Sequence, residues 1–78
     1  MTPARHEIVL DLLGLEPPEP LVRTLETLER LAAGECLRVV LPHEPFPLYR
    51  ALAANRYTWQ TEFRGDGAVE VVIQRQRS

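Results

Sequence analysis

Two hydrophobic rhythms alternate along the chain. In Glu7-Ile8-Val9-Leu10-Asp11-Leu12 the period is two, with Ile8, Leu10 and Leu12 on one face and Val9 and Asp11 on the other, which predicts a short strand. A bend marked by Gly14, Pro17 and Pro18 follows. The period then lengthens: Leu21, Val22, Leu25, Leu28, Leu31 and Ala32 recur at helical spacing up to Gly34, a residue suited to the position just past a helix end. Cys36 to Leu41, a more continuous apolar run interrupted by Arg38, reads as the second strand. Pro45 and Pro47 open a second, shorter helix carrying Leu48, Tyr49, Leu52 and Ala53. Tyr57 to Arg64 alternates again, Gly65-Asp66-Gly67 reads as a hairpin turn, and Ala68 to Gln74 returns with Val69, Val71 and Ile73 on one face.

The predicted order is β-α-β-α-β-β, an α/β two-layer sandwich with a mixed four-stranded sheet and both helices on one face. Each βα unit favours a right-handed crossover between parallel strands, so the first two strands should pair in parallel and the last two as an antiparallel hairpin. Arg38, Thr58, Gln60, Glu62, Arg64 and Glu70 should then face away from the helices. That open face is polar at its centre, so it does not demand a large obligate interface; a monomer or weak dimer is expected. The aromatic residues Tyr57, Trp59 and Phe63 share the other face of their strand and are expected to pack beneath the helices.

Seventy-eight residues suffice for a single domain over 1–78 with one modest core. Hydrophobic residues at 45% and charged residues at 26% are ordinary for a globular chain. No apolar run reaches the roughly 18 residues of a membrane span, and the N-terminus has no signal-peptide pattern. The single cysteine, Cys36, has no internal partner for a disulfide, in keeping with a cytoplasmic location. All nine basic residues are arginine, but they are scattered among eleven acids and the net charge is -2, so no footprint for nucleic acid is present.

The pattern P-x-P-L-x-R-x-L occurs twice, at Pro18 to Leu25 and Pro45 to Leu52, 27 residues apart and each time at the start of a helix. Parallel strands place both starts at the same, carboxyl edge of the sheet. There the loops bring together Glu16, Glu19, His43 and Glu44. One histidine with two or three carboxylates is a nitrogen and oxygen donor set for a divalent metal, with His43 as the central ligand, or a base assisted by acids. The structural alternative is that the glutamates complement the positive helix ends while His43 is a loop residue bonded to one of them. Five prolines at these helix starts remove the N–H groups that a phosphate would use, which argues against nucleotide binding. Phe46, held between Pro45 and Pro47, is the candidate apolar anchor for a protein partner.

The segment Leu10-Asp11-Leu12-Leu13-Gly14-Leu15-Glu16-Pro17-Pro18-Glu19-Pro20 resembles the signature L-D-x-R-G-L-x-C-P-x-P of the TusA/SirA sulfur-carrier family. The element order and the pair Gly34-Glu35 before the second strand agree with that family across the whole chain. The resemblance implies the family fold, but Pro17 stands where those proteins carry the persulfide-bearing cysteine, and Leu13 replaces the signature arginine. Sulfur carriage by the family mechanism is therefore not expected. The His43-Glu44-Pro45-Phe46-Pro47 loop resembles an uncharacterised branch of the family whose members also occur fused to hemerythrin-like and cupin domains, which implies an accessory role near metal or redox chemistry. Cys36 begins the second strand, about 20 Å of strand away from the Pro17 loop, and does not substitute for the lost cysteine at that site. The expectation is a small interaction or regulatory module rather than an enzyme, with no resident cofactor and with Glu16, Glu19, His43, Glu44 and Phe46 as its contact surface. Two alternatives stay open: a metal- or redox-linked accessory domain centred on His43, and sulfur transfer through Cys36.

Overall fold

A computed structural model describes residues 6–75. Strand β1 (Glu7–Asp11) leads to helix α1 (Glu19–Glu29), strand β2 (Cys36–Leu41), helix α2 (Phe46–Ala54), and the hairpin of β3 (Tyr57–Phe63) and β4 (Val69–Arg75). The four strands form one sheet in the order β1-β2-β4-β3. β1 runs parallel to β2, with Glu7 opposite Cys36 and Asp11 opposite Val40. β4 is antiparallel to both of its neighbours and so lies between β2 and β3. The α/β class, the β-α-β-α-β-β order and the mixed sheet agree with the hydrophobic pattern.

Strand alternation decides which residues reach the core. Leu37, Val39 and Leu41 of β2 and Val69, Val71 and Ile73 of β4 pack under Leu28, Leu48 and Leu52 of the helices, with Ile8 and Leu10 against the same cluster. Tyr57 and Trp59 join it, half-buried. Phe63 does not: it is 69% exposed, although it shares their face. It stands at the last position of β3, and side-chain alternation alone carries no information about where the helix layer stops.

α1 also ends earlier than its apolar spacing implies. Arg30 is the C-cap, and Leu31 bonds back to Leu28 in a tighter turn, with N–H to carbonyl 3.1 Å. Leu31 remains in the core from outside the helix. The chain then turns through Gly34, whose φ of +87° is readily adopted only without a Cβ, and the Glu35 carboxylate accepts the Ala32 N–H at 2.8 Å. Gly34 thus belongs to this turn rather than directly to the helix end.

The helix-free face carries an ionic cluster. Glu62 and Glu70 sit directly opposite one another on β3 and β4, an arrangement that destabilises a sheet when unaided. Arg38 of β2 relieves it: one guanidinium nitrogen donates to Glu70 at 2.8 Å and to Glu62 at 3.0 Å, and its Nε donates to Glu7 at 3.2 Å. These bonds, that to Glu7 foremost, hold the Arg38 pKa far above its ordinary value. The Arg38 cluster and the strands beside β2 leave Cys36 and Val40 buried on a face that no helix covers.

Exposed ion pairs contribute about 0.2–1 kcal/mol each, so Arg38→Leu should destabilise the fold by about 1–2 kcal/mol while leaving three carboxylates facing one another. Urea unfolding of both proteins in low salt and in about 1 M salt checks this. The gap should narrow in high salt; a gap independent of salt would place the effect in packing by the arginine stem instead.

Candidate functional site

Both helices begin at the carboxyl edge of β1 and β2, and proline shapes both starts. Pro18 and Pro45 are the N-cap residues, Pro20 and Pro47 occupy the first turns, and no side chain caps either helix by hydrogen bonding. Proline suits a first turn because its missing N–H has no helical acceptor there and its fixed φ is already helical. At α1 the Glu19 N–H bonds the Glu16 carbonyl at 2.9 Å, and Val22 closes the first full turn onto Pro18 at 3.1 Å. Tyr49 closes the equivalent turn of α2 onto Pro45, also at 3.1 Å. The Pro17–Pro18 peptide is cis. Glu19 stands in the first turn of α1, where a negative charge complements the positive helix end, and α2 has no acidic residue in its first turn.

Between the two starts lies an apolar groove of about 310 Å3. Pro17, Pro18 and Pro20 form one side and Pro42, Pro45 and Pro47 the other, so all six prolines of the two loops line it. Leu21, Leu41 and Leu48 line it as well, with His43 beside them. Thr24 is the buried polar residue of the set, 0% exposed, and its hydroxyl donates to the Pro20 carbonyl at 2.8 Å. Its lining role was not foreseen, although it falls three residues after Leu21 and four before Leu28, on the inward stripe of α1.

The five residues singled out at this edge do not form one cluster. His43 is exposed and lines the groove. Glu16 and Glu19 are exposed on the α1 side, and Glu19 pairs with Arg23 at 3.4 Å one turn along the helix. Glu44 and Phe46 turn to the other flank of α2. There the Tyr49 hydroxyl donates to Glu44 at 3.2 Å and also shares a hydrogen bond with Thr61. Phe46, 58% exposed, meets the Tyr49 ring edge-on at 5.8 Å, and Tyr49 stacks on Trp59 at 5.5 Å. Among the described residues no three His, Cys, Asp or Glu side chains converge in an arrangement that could hold a metal ion.

The remaining candidates lie at the opposite edge. Cys36 pairs with Glu7 across the first step of β1 and β2, is 7% exposed, and has its Sγ 3.9 Å from a Glu7 carboxylate oxygen. His6 is next to Glu35, with Nδ1 to Oε2 of 3.4 Å, and is separated from His43 by the length of the sheet.

A family model described as an uncharacterised conserved protein family, DUF2249, matches residues 9–75. The chain belongs to the DUF2249 family. No curated protein and no solved structure matches it. The match spans both proline loops, the groove, and Arg38 with Glu62 and Glu70, while Glu7 lies just before it. Among the described residues no helix of this DUF2249 chain is long and apolar enough to cross a membrane.

Burial raises the Tyr49 phenol above its ordinary pKa; the Thr61 hydrogen bond opposes the rise and the Glu44 carboxylate adds to it. Folded and unfolded chains both keep this phenol neutral well below pH 10. As pH climbs past 10 the unfolded chain ionises first, so stability falls until the folded-state phenol ionises in turn. Tyr49→Phe should therefore show a shallower alkaline decline than the wild type when urea midpoints are compared at about pH 8 and about pH 11. Equal declines would mean that the Tyr49 environment does not favour the neutral phenol.

Proposed function

We propose that the chain is a non-enzymatic interaction module, built on a scaffold like that of the TusA/SirA sulfur carriers, that binds its partner at the carboxyl edge of the sheet. The observation that carries this reading is the groove, an apolar cleft walled by six prolines and two helix starts; its Pro17 stands where the resemblance to those carriers would put their cysteine. Proline walls hold the cleft open before anything enters it, so little conformational entropy remains to be lost on binding. Pro17 supplies no nucleophile at its position, and the one buried hydroxyl of the lining already donates to a carbonyl. Its volume is at the small end of the range for ligand sites, roughly 300–1,000 Å3. A side chain of a partner fits such a slot better than an extended cofactor does.

Two measurements test the reading. Backbone amide spectra of the labelled protein in toluene-saturated buffer should shift at Leu21, Thr24 and Leu48, which line the groove. Shifts scattered over the surface, or none, would mean that the cleft does not accept apolar groups. Incubation with a cysteine desulfurase and cysteine, followed by mass spectrometry of the intact chain, should give no persulfide; a stable adduct on Cys36 would return the protein to sulfur transfer.

A further inference from the structure

The fold leaves one long strand edge open. β3 ends the sheet, and its seven residues pair with β4 without a bulge. The Arg64 N–H donates to the Ala68 carbonyl at 2.9 Å, so by strand alternation Thr58, Gln60 and Glu62 turn their backbone groups to β4. Tyr57, Trp59, Thr61 and Phe63 therefore aim theirs outward, where no described strand meets them. Proteins usually blunt such an edge with proline, lysine, a bulge or an inward-pointing charge, and residues 57–63 have none of these. Their one charged residue, Glu62, is held by Arg38 on the open face. β1, the other edge, has five residues and a carboxylate at each end.

An apolar flank rises beside the β3 edge. Tyr49 stacks on Trp59 and shares a hydrogen bond with Thr61, which turns the side of α2 carrying Phe46, Tyr49 and Ala53 toward β3. Phe46 and Ala53 are exposed there, and Phe63, the most exposed large apolar side chain among the described residues, ends the strand. The charges nearest this flank in sequence, Glu44 and Arg50, are opposite in sign, so it selects neither an acidic nor a basic partner.

We infer that the occupant of this edge is a second copy of the chain, with the two β3 strands antiparallel about a two-fold axis at Thr61. That axis sets outward-aimed residues opposite one another: Thr61 meets its own copy, and Trp59 meets Phe63 of the second copy on the helix side. On the open side Gln60 meets Glu62 of the second copy, an amide beside a carboxylate. An axis at Glu62 would set two glutamates opposite one another, and an axis at Gln60 would set Arg56 opposite Arg64. A free peptide strand can pair with β3 but brings no helix flank to cover Phe46 and Ala53. The same chain carries strand and flank at matching spacing, and a two-fold interface needs only one self-complementary patch. The proline groove lies on the other side of α2 and stays open in this dimer, so the inference is independent of what the groove binds.

Sedimentation velocity from about 5 to about 500 μM should show the monomer passing reversibly into a dimer, as a small interface gives weak affinity. Phe63→Lys, at an exposed position, should weaken the dimer at least about tenfold and leave the circular dichroism spectrum unchanged. Amide hydrogen exchange locates the contact. The Trp59, Thr61 and Phe63 N–H groups of the wild type should exchange more slowly as protein concentration rises, and the remaining β3 amides of Phe63→Lys should not. A monomer at every concentration would overturn the inference. So would a dimer that Phe63→Lys leaves intact, or one whose concentration-dependent protection falls outside β3.

Discussion

Burial of the second strand from both sides is the constraint on which the rest of the fold depends. β2 has neighbours on both edges, α1 and α2 cover Leu37, Val39 and Leu41, and Cys36 and Val40 are buried on the opposite face without any helix above them. A two-layer fold cannot supply a second helix layer, so the open side is closed by the neighbouring strands and by Arg38 gathering Glu7, Glu62 and Glu70. One arginine thereby spans the sheet from β1 through β4 to β3. It also explains why Arg38 interrupts an otherwise apolar run: the interruption is where the strand meets solvent, and the charge that enters there is matched by carboxylates from three other strands.

The carboxyl edge follows from the same arrangement. Parallel β1 and β2 deliver both helix starts to one end, and the repeated Pro-x-Pro-Leu pattern builds them alike. Two similar starts side by side leave a cleft between them because proline rings hold the loops apart and present carbon where other loops would present N–H groups. The absence of donors that disfavours a phosphate is thus the same property that makes the cleft apolar. Thr24 shows how strictly this holds: the one buried hydroxyl in the lining is turned back onto the Pro20 carbonyl.

Most of the architecture was legible in the residues because it rests on local periodicity. The strand and helix positions, the parallel first pair and the hairpin all follow from spacing and turn chemistry, and the ends moved by only a few residues. The insertion of β4 between β2 and β3 was not stated by the pattern, since alternation says which face is buried and not which strand lies alongside. Phe63 was misplaced for a related reason: its face is right, but the helices do not extend over it. At the site, the placement of His43 and the prolines at the carboxyl edge was legible from the loops, while the structure separates His43 from Glu44 and Phe46. Residues consecutive in a loop that enters a helix point to different sides of it, and Glu44 and Phe46 went with Tyr49 and Trp59 instead of the groove. Thr24 escaped notice because a threonine within an apolar stripe carries no mark of the carbonyl it bonds.

The position of β4 has a consequence for how the chain comes together. The strand that fills the sheet's interior is the last of the four in sequence, and it brings Val71 and Ile73, both completely buried. On a ribosome, β1, β2 and both helices emerge while the inner edge of β2 still lacks its neighbour, so the core is open along its middle until residues 69–75 arrive. β1, β2 and the two helices by themselves leave that edge of the sheet unpaired. The domain's cooperativity is set by chain order as much as by packing, and a truncation that removed only the final strand would disconnect the hairpin partner β3 from everything else in the sheet.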